Sequence, residues 1–357
     1  MRLRPAALIV CLILGLTGVD ARQHQLSVLT SSPFESYLES LRTQAGIPGM
    51  SAALVQSGQI VWERGFGFQD LEALIRATPD TPYPIADMSQ TLASVLVLQC
   101  IEQRRLGIDE PIRRYGGSVP EPGATVRQLL SHTSAGESGE TFQYDPGRYA
   151  QLTPVVEWCL PQPYRKTIAV NLLERLAMKD SVPGRDLGVD TTPPAERLFA
   201  EPVLERYRKV LERIAIPYRV DKKGRATRTE ITPEGINAAT GLVTTVRDFA
   251  RFDAAIDEAI LLEPETLAAA WSPDTTERQT VLPTGLGWFV QRYKGEHVVW
   301  HFGLIANGYS SLIVKLPSRQ LTFIIFANSD GLSSTFQLDA GDVTRSLFAT
   351  LFLRLYT

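Results

Sequence analysis

The chain has 357 residues, an apolar share of 44% and a formal net charge of −3. That length and composition support one large core or two lobes and argue against a disordered chain. The slight acidity argues against general affinity for nucleic acid, which clustered Lys and Arg drive through counterion release, so no nucleic-acid partner is expected.

The first residues read as a targeting segment. Met1-Arg2-Leu3-Arg4 supplies positive charge, residues 5–19 are uncharged and mostly apolar, and Val19-Asp20-Ala21 fits a small-residue cleavage site, so 1–21 is expected to be a signal peptide. The expected destination is the periplasm or the medium. An uncleaved anchor is the weaker alternative, because the apolar run falls short of the ~20 residues that span a bilayer. No other stretch is apolar enough to span a membrane once the signal is removed.

An amphipathic helix is predicted over Phe34 to Thr43, followed by a hairpin, Ile47 to Val55 and Gly58 to Val61, turning at Gln56-Ser57-Gly58. Pro82-Tyr83-Pro84-Ile85-Ala86 is an extended approach to Asp87-Met88-Ser89-Gln90, and the mostly apolar run Thr91 to Gln103 reads as a helix. A helical run is expected around Glu201 to Ile214. Sheet signals return at Leu286 to Val290, His297 to Trp300, Tyr309 to Val314 and Leu321 to Ala327, and a last helix is expected from about Ala340 to Leu355.

Two cysteines, Cys100 and Cys159, follow the leader, which holds Cys11. An even count in an exported protein permits a disulfide. Because Cys100 falls in an apolar helical pattern, a buried free thiol is the expected state. Neither cysteine has zinc-site spacing, and His132 and His301 lie far from both in sequence, so no metal and no cofactor is expected.

The lead-in before Asp87, the apolar helix after it and the opening hairpin resemble the β-lactamase, D,D-peptidase and esterase family, particularly its class C branch, and Thr125 to Ser134 and Gly241 to Phe252 look like that family's helix and turn before the active-site loop and its later helix. The resemblance covers nearly the whole chain after the first few dozen residues. It implies an α/β two-lobe β-lactamase/transpeptidase-like fold, in which both chain ends build one antiparallel sheet flanked by helices and the middle forms a mostly helical lobe. The boundaries expected are 22–86 and 285–357 for the sheet lobe and 87–284 for the helical lobe, with 179–233 an elaboration over the cleft.

The same resemblance places Asp87 on the family's nucleophilic serine and Gln90 on its lysine. Acyl transfer needs a nucleophile, a base for its proton and donors for the oxyanion. A carboxylate attacking an acyl carbon would give an anhydride more reactive than the original ester or amide, and a neutral amide is no general base near neutral pH. Ser89 does not substitute, since the lysine would then be expected at position 92, which is Leu. As local chemistry, Asp87 is a favoured N-cap and Gln90 three residues later completes a capping box, so the pair is expected to stabilise the helix start.

The family's Tyr-x-Asn or Tyr-x-Ser motif falls at Tyr144-Asp145-Pro146, where Tyr144 matches and Pro146 offers no side-chain donor or acceptor. Tyr144 is then either a cleft-lining aromatic or a residue with a part in chemistry. His301-Phe302-Gly303 resembles the family's Lys-Thr-Gly strand in its His-x-Gly form. His301 and Gly303 are therefore candidate substrate-binding residues, Gly303 by letting a ligand approach the backbone, although a lone histidine at a strand end also serves as an ordinary structural residue.

An ionised Asp87 should repel an anionic acyl substrate and compete for the oxyanion donors. The leading expectation is an exported protein that cannot form a serine acyl-enzyme and acts as a cleft-binding pseudoenzyme, taking a peptide, a glycan or a small acyl ligand. One alternative is an active esterase, peptidase or β-lactamase-like hydrolase with a non-standard site, using an unrecognised nucleophile or Asp87 as acid or base. A second is a structural or regulatory scaffold. The sequence leaves the oligomeric state open.

Overall fold

The computed structural model describes residues 33–357 except 137–138, 190–191 and 277–279. The expected signal peptide lies outside the described residues.

Ten α-helices and twelve strands are described. The helices are α1 (33–44), α2 (Gln90–Glu102), α3 (Val126–Leu130), α4 (Pro146–Tyr149), α5 (Leu152–Cys159), α6 (Tyr164–Ile168), α7 (Glu201–Leu211), α8 (Val246–Asp257), α9 (Pro264–Ala270) and α10 (Leu347–Tyr356). The strands are β1 (Gly49–Gln56), β2 (Gln59–Asp70), β3 (Ile75–Arg76), β4 (Tyr83–Pro84), β5 (Val182–Pro183), β6 (Tyr218–Val220), β7 (Ala226–Arg228), β8 (Leu242–Thr244), β9 (Phe289–Tyr293), β10 (Glu296–Ile305), β11 (Tyr309–Leu316) and β12 (Leu321–Ala327). The last helix starts at Leu347, later than the expected Ala340, because Leu338–Ala340 and Val343–Arg345 form separate 3-10 turns.

Seven strands form one antiparallel sheet in the order β3-β2-β1-β12-β11-β10-β9. Its centre joins the two ends of the chain: β1 pairs with β12 in a register running from Met50 opposite Ala327 to Gln56 opposite Leu321. Every residue of β12 is buried, as is nearly all of β1, which explains why both read as apolar runs without alternation: helices cover the sheet on both faces. Alternation along β12 sends Phe323, Ile325 and Ala327 into the cluster shared with Phe34 of α1 and Phe352 of α10, and Ile324 and Phe326 into the larger cluster shared with α2, α5 and α8.

The helix α2 is buried on nearly all sides, consistent with apolar residues around its whole circumference. Cys100 on α2 and Cys159 at the end of α5 are disulfide-bonded across a sequence separation of 59 residues, with Cα atoms 6.3 Å apart. The expectation of free thiols is thereby corrected. The apolar pattern gave burial correctly, but it carries no information on which other helix faces a given residue.

A second, three-stranded sheet in the order β4-β8-β5 fastens the lead-in to position 87. The Ile85 N–H donates to Leu242 O at 3.0 Å, and the Leu242 N–H donates to Ser89 Oγ at 3.2 Å. Among the described residues no helix is long and apolar enough to cross a membrane.

Candidate functional site

Asp87 sits in the 3-10 turn Ala86–Ser89, which runs directly into α2. The turn is entered through Ala86 at φ +51°, a left-handed conformation that is unfavourable for a residue with a Cβ. That twist carries the Asp87 side chain out of the turn toward β10, leaving it partly open while Met88, Ser89 and Gln90 are buried.

The expected capping box is absent. Neither the turn nor α2 has a side-chain cap, and the Asp87 carboxylate instead accepts from the Leu304 N–H of β10 at 3.4 Å. Its own backbone N–H also works on it. A reciprocal box is made at Thr125 and Gln128, opening α3. Local spacing offered Asp87 and Gln90 the same option, but the 3-10 turn withdraws Asp87 from the helix end and tertiary partners take both side chains.

Gln90 is fully buried and bridges two aromatic partners. Its Oε1 lies 3.0 Å from His132 Nε2 and its Nε2 lies 3.2 Å from the Tyr144 hydroxyl. The direction of this chain follows from its end: the Asp145 N–H can only donate, and it donates to His132 Nδ1 at 3.2 Å. His132 therefore carries its proton on Nε2 and gives it to Gln90 Oε1, Gln90 donates to the Tyr144 oxygen, and the Tyr144 proton is not used within this chain.

The rings hold one another in place. His132 stacks on Tyr149 with centroids 5.1 Å apart and lies 4.6 Å from Tyr144, while the Tyr149 hydroxyl donates to Gln90 O at 3.2 Å. Like Ala86, His132 has a positive φ, +54°. Pro146, which lacks the expected polar side chain, is the first residue of α4, capped by Asp145 accepting from the Arg148 N–H. The loop carrying Tyr144 is thus fixed by a helix start.

Strand alternation places Trp300 and Phe302 in the outer cluster and turns His301 and Gly303 to the opposite face, toward the Asp87 turn. His301 is 1% exposed, and its Nδ1 lies 2.8 Å from Phe302 O and 2.9 Å from Phe302 N. Gly303 does not leave room for a ligand. A Cβ there would stand 2.0 Å from Ile85 O and 2.5 Å from Ser311 Oγ, so glycine is required by the close approach of the Ile85 backbone. Ser89 is structural, its hydroxyl donating to Ala86 O at 2.7 Å.

The electrostatics of this region turn on the Asp87 carboxyl. Burial pushes the Asp87 carboxyl up from 3.8 to about 7, against the opposing pull of the Leu304 and Asp87 N–H groups. Burial pushes His132 down to about 3 and His301 down to about 4, so both imidazoles are neutral at neutral pH. Burial raises the Tyr144 hydroxyl well above its ordinary range, and the charge of Asp87 adds to that. No ion pair to Asp87 is made among the described residues, and no group of three or more metal-ligating side chains is found among them.

Sequence reading singled out Asp87, Gln90, Tyr144, His301 and Gly303, and all five line this one region. It missed His132 as a partner of Gln90 and the Leu304 amide as a partner of Asp87. The only signal for His132 was its place in the turn after α3, and a backbone amide leaves none.

A match to the family model described as "Beta-lactamase" spans residues 34–345. The chain belongs to that family. Among the family's members, the bovine (Bos taurus) "Serine beta-lactamase-like protein LACTB, mitochondrial" is 30% identical over 104 residues, 27% of this chain and 19% of that protein. The chain thus aligns with about a fifth of that relative's length. The octameric penicillin-binding protein homologue from Pyrococcus abyssi superposes with a TM-score of 0.72 at 20% identity, covering 91% of this chain and 77% of that one. D-amino acid amidase from Ochrobactrum anthropi SV3 superposes with a TM-score of 0.69 at 20% identity, covering 91% and 99%. At that identity the structural likenesses speak for the β-lactamase/transpeptidase-like fold.

Proposed function

We propose that this beta-lactamase family member does not form a serine acyl-enzyme and binds a ligand in its retained cleft. The observation that carries the reading is the state of positions 87 and 90. A carboxylate stands at the first and accepts from the Leu304 amide, while a buried amide stands at the second with its oxygen on His132 and its nitrogen on Tyr144. Position 87 supplies no nucleophilic hydroxyl and the amide at position 90 is no base, and Ser89 spends its hydroxyl on Ala86 O and the Leu242 N–H. The ordered, hydrogen-bonded surroundings favour a binding role over a bare scaffold, since they hold a partly open acid and a tyrosine hydroxyl side by side.

The test exposes purified protein to a chromogenic β-lactam, a simple ester and a serine-directed fluorophosphonate, beside the double variant Asp87→Ser/Gln90→Lys. The expected result is no turnover and no stable label in the unsubstituted protein. Turnover or labelling there would refute the reading. Activity gained by the double variant alone would locate the loss at these two positions.

A further inference from the structure

Asp87 is an acid that the protein leaves largely unanswered. A carboxylate offers about four lone-pair sites. Here it receives a 3.4 Å bond from the Leu304 N–H, near the outer limit for such a bond, and the influence of its own backbone N–H. The turn that carries it packs against β10, β11 and α2, and no cation pairs with Asp87 among the described residues. β10 brings neutral His301, β11 brings Ser311, whose hydroxyl donates to Ile85 O, α2 brings neutral Gln90, and the 140–145 loop brings Tyr144, whose surroundings also include exposed Asp339 from the Leu338–Ala340 turn. The His132–Gln90–Tyr144 chain is closed to outside partners except at the Tyr144 hydroxyl.

We propose that the cleft takes a ligand carrying a protonated primary amine, seated on the Asp87 carboxylate beside the Tyr144 hydroxyl, and excludes carboxylates. This rests on the binding role proposed above and names the chemistry of the ligand. An ammonium brings the positive charge that no described side chain supplies, and its three donors match the open lone pairs of Asp87. A carboxylate would meet Asp87 head-on, with the Leu304 amide already engaged.

The site carries a built-in pH dependence of definite sign. A cation binds the ionised acid, and ionisation of Asp87 runs through about 7, so amine affinity rises as pH rises from 6 to 8 while the amine stays protonated. With the ionised fraction changing from roughly a tenth to nine-tenths, the apparent dissociation constant should tighten about tenfold.

Benzylamine and benzoate, which share a ring and differ in charge, are titrated calorimetrically into the full-length protein at pH 6 and pH 8, beside Asp87→Asn, whose folding is checked by circular dichroism. Expected are saturable benzylamine binding about tenfold tighter at pH 8, no benzoate binding, and loss of amine binding in D87N. The proposal is overturned by benzoate binding as well as benzylamine, by amine binding that ignores pH or survives D87N, or by the absence of benzylamine binding. Ester turnover by the same sample with amine selectivity intact would remove the silent-site reading alone. Loss of selectivity without turnover would remove the ligand class alone.

Discussion

Replacing Asp87 with Asn should stabilise the protein, and by an amount that grows with pH. The carboxyl titrates at about 7 in the folded protein against 3.8 as its ordinary value. A raised acid pKa means that the folded state holds the proton more tightly than the unfolded one, so the favourable contribution is complete below about 4 and is lost as pH rises through about 7. Converting the two values at about 1.4 kcal/mol per tenfold gives a penalty of roughly 2 kcal/mol at pH 5 and about 4 kcal/mol at pH 8. Asp87 keeps part of its surface open to water, and screening brings the expected growth between those pH values to on the order of 2 kcal/mol. Asn has the same shape and can still accept from the Leu304 N–H, so the difference isolates the charge. The assay is urea unfolding of both proteins at half-unit intervals from pH 5 to 8.5. Asp248, which burial raises to about 6, titrates in both proteins and cancels in the difference. A stability difference that is flat with pH, or that favours the parent at pH 8, would refute the assignment of Asp87 as a strained acid.

Three further substitutions test what holds the site and its sheet. Gln90→Leu keeps the volume but strands the His132 Nε2–H and the Gln90-facing side of Tyr144, each bonded only through Gln90 in this chain, and should cost about 2–4 kcal/mol in chemical unfolding. A cost below about 0.5 kcal/mol would mean that the network does not hold. Lys315 of β11 is buried against fully buried Asp253 and lies 2.9 Å from Asp257 on α8 and 3.1 Å from Thr322. Lys315→Met should destabilise by about 3–5 kcal/mol by leaving Asp253 an unpaired buried charge, and adding Asp253→Leu should recover most of that loss. An additive double variant would contradict the pairing.

The sequence was most legible where the relevant chemistry is local. The absence of a hydroxyl at 87 and of an amine at 90, the loss of a polar side chain at Pro146, and the hairpin, apolar helix and late strands could all be read from consecutive residues. That both chain ends build one sheet was legible, but the strand order was not, because runs such as Leu321 to Ala327 are apolar throughout and do not say which strands lie beside them. Local reading misled where a short-range signature competed with a long-range partner. Asp87 and Gln90 have capping-box spacing, yet their side chains bond to Leu304, His132 and Tyr144, which lie 217, 42 and 54 residues away. The same holds for Gly303, whose missing Cβ accommodates Ile85, and for the Cys100–Cys159 bond.

By itself the sequence determined that a carboxyl stands at position 87 and an amide at position 90, since side-chain identity is a property of single positions. Only the tertiary structure decided what the replacements do. Whether a carboxyl caps a helix or stands half-satisfied in a cleft depends on which amides and rings the folded sheet and helices bring within about 3 Å of it. Burial beside Leu304, with no cation at hand, makes Asp87 an acid that titrates near neutrality, and that environment exists only once β10 has closed over the turn.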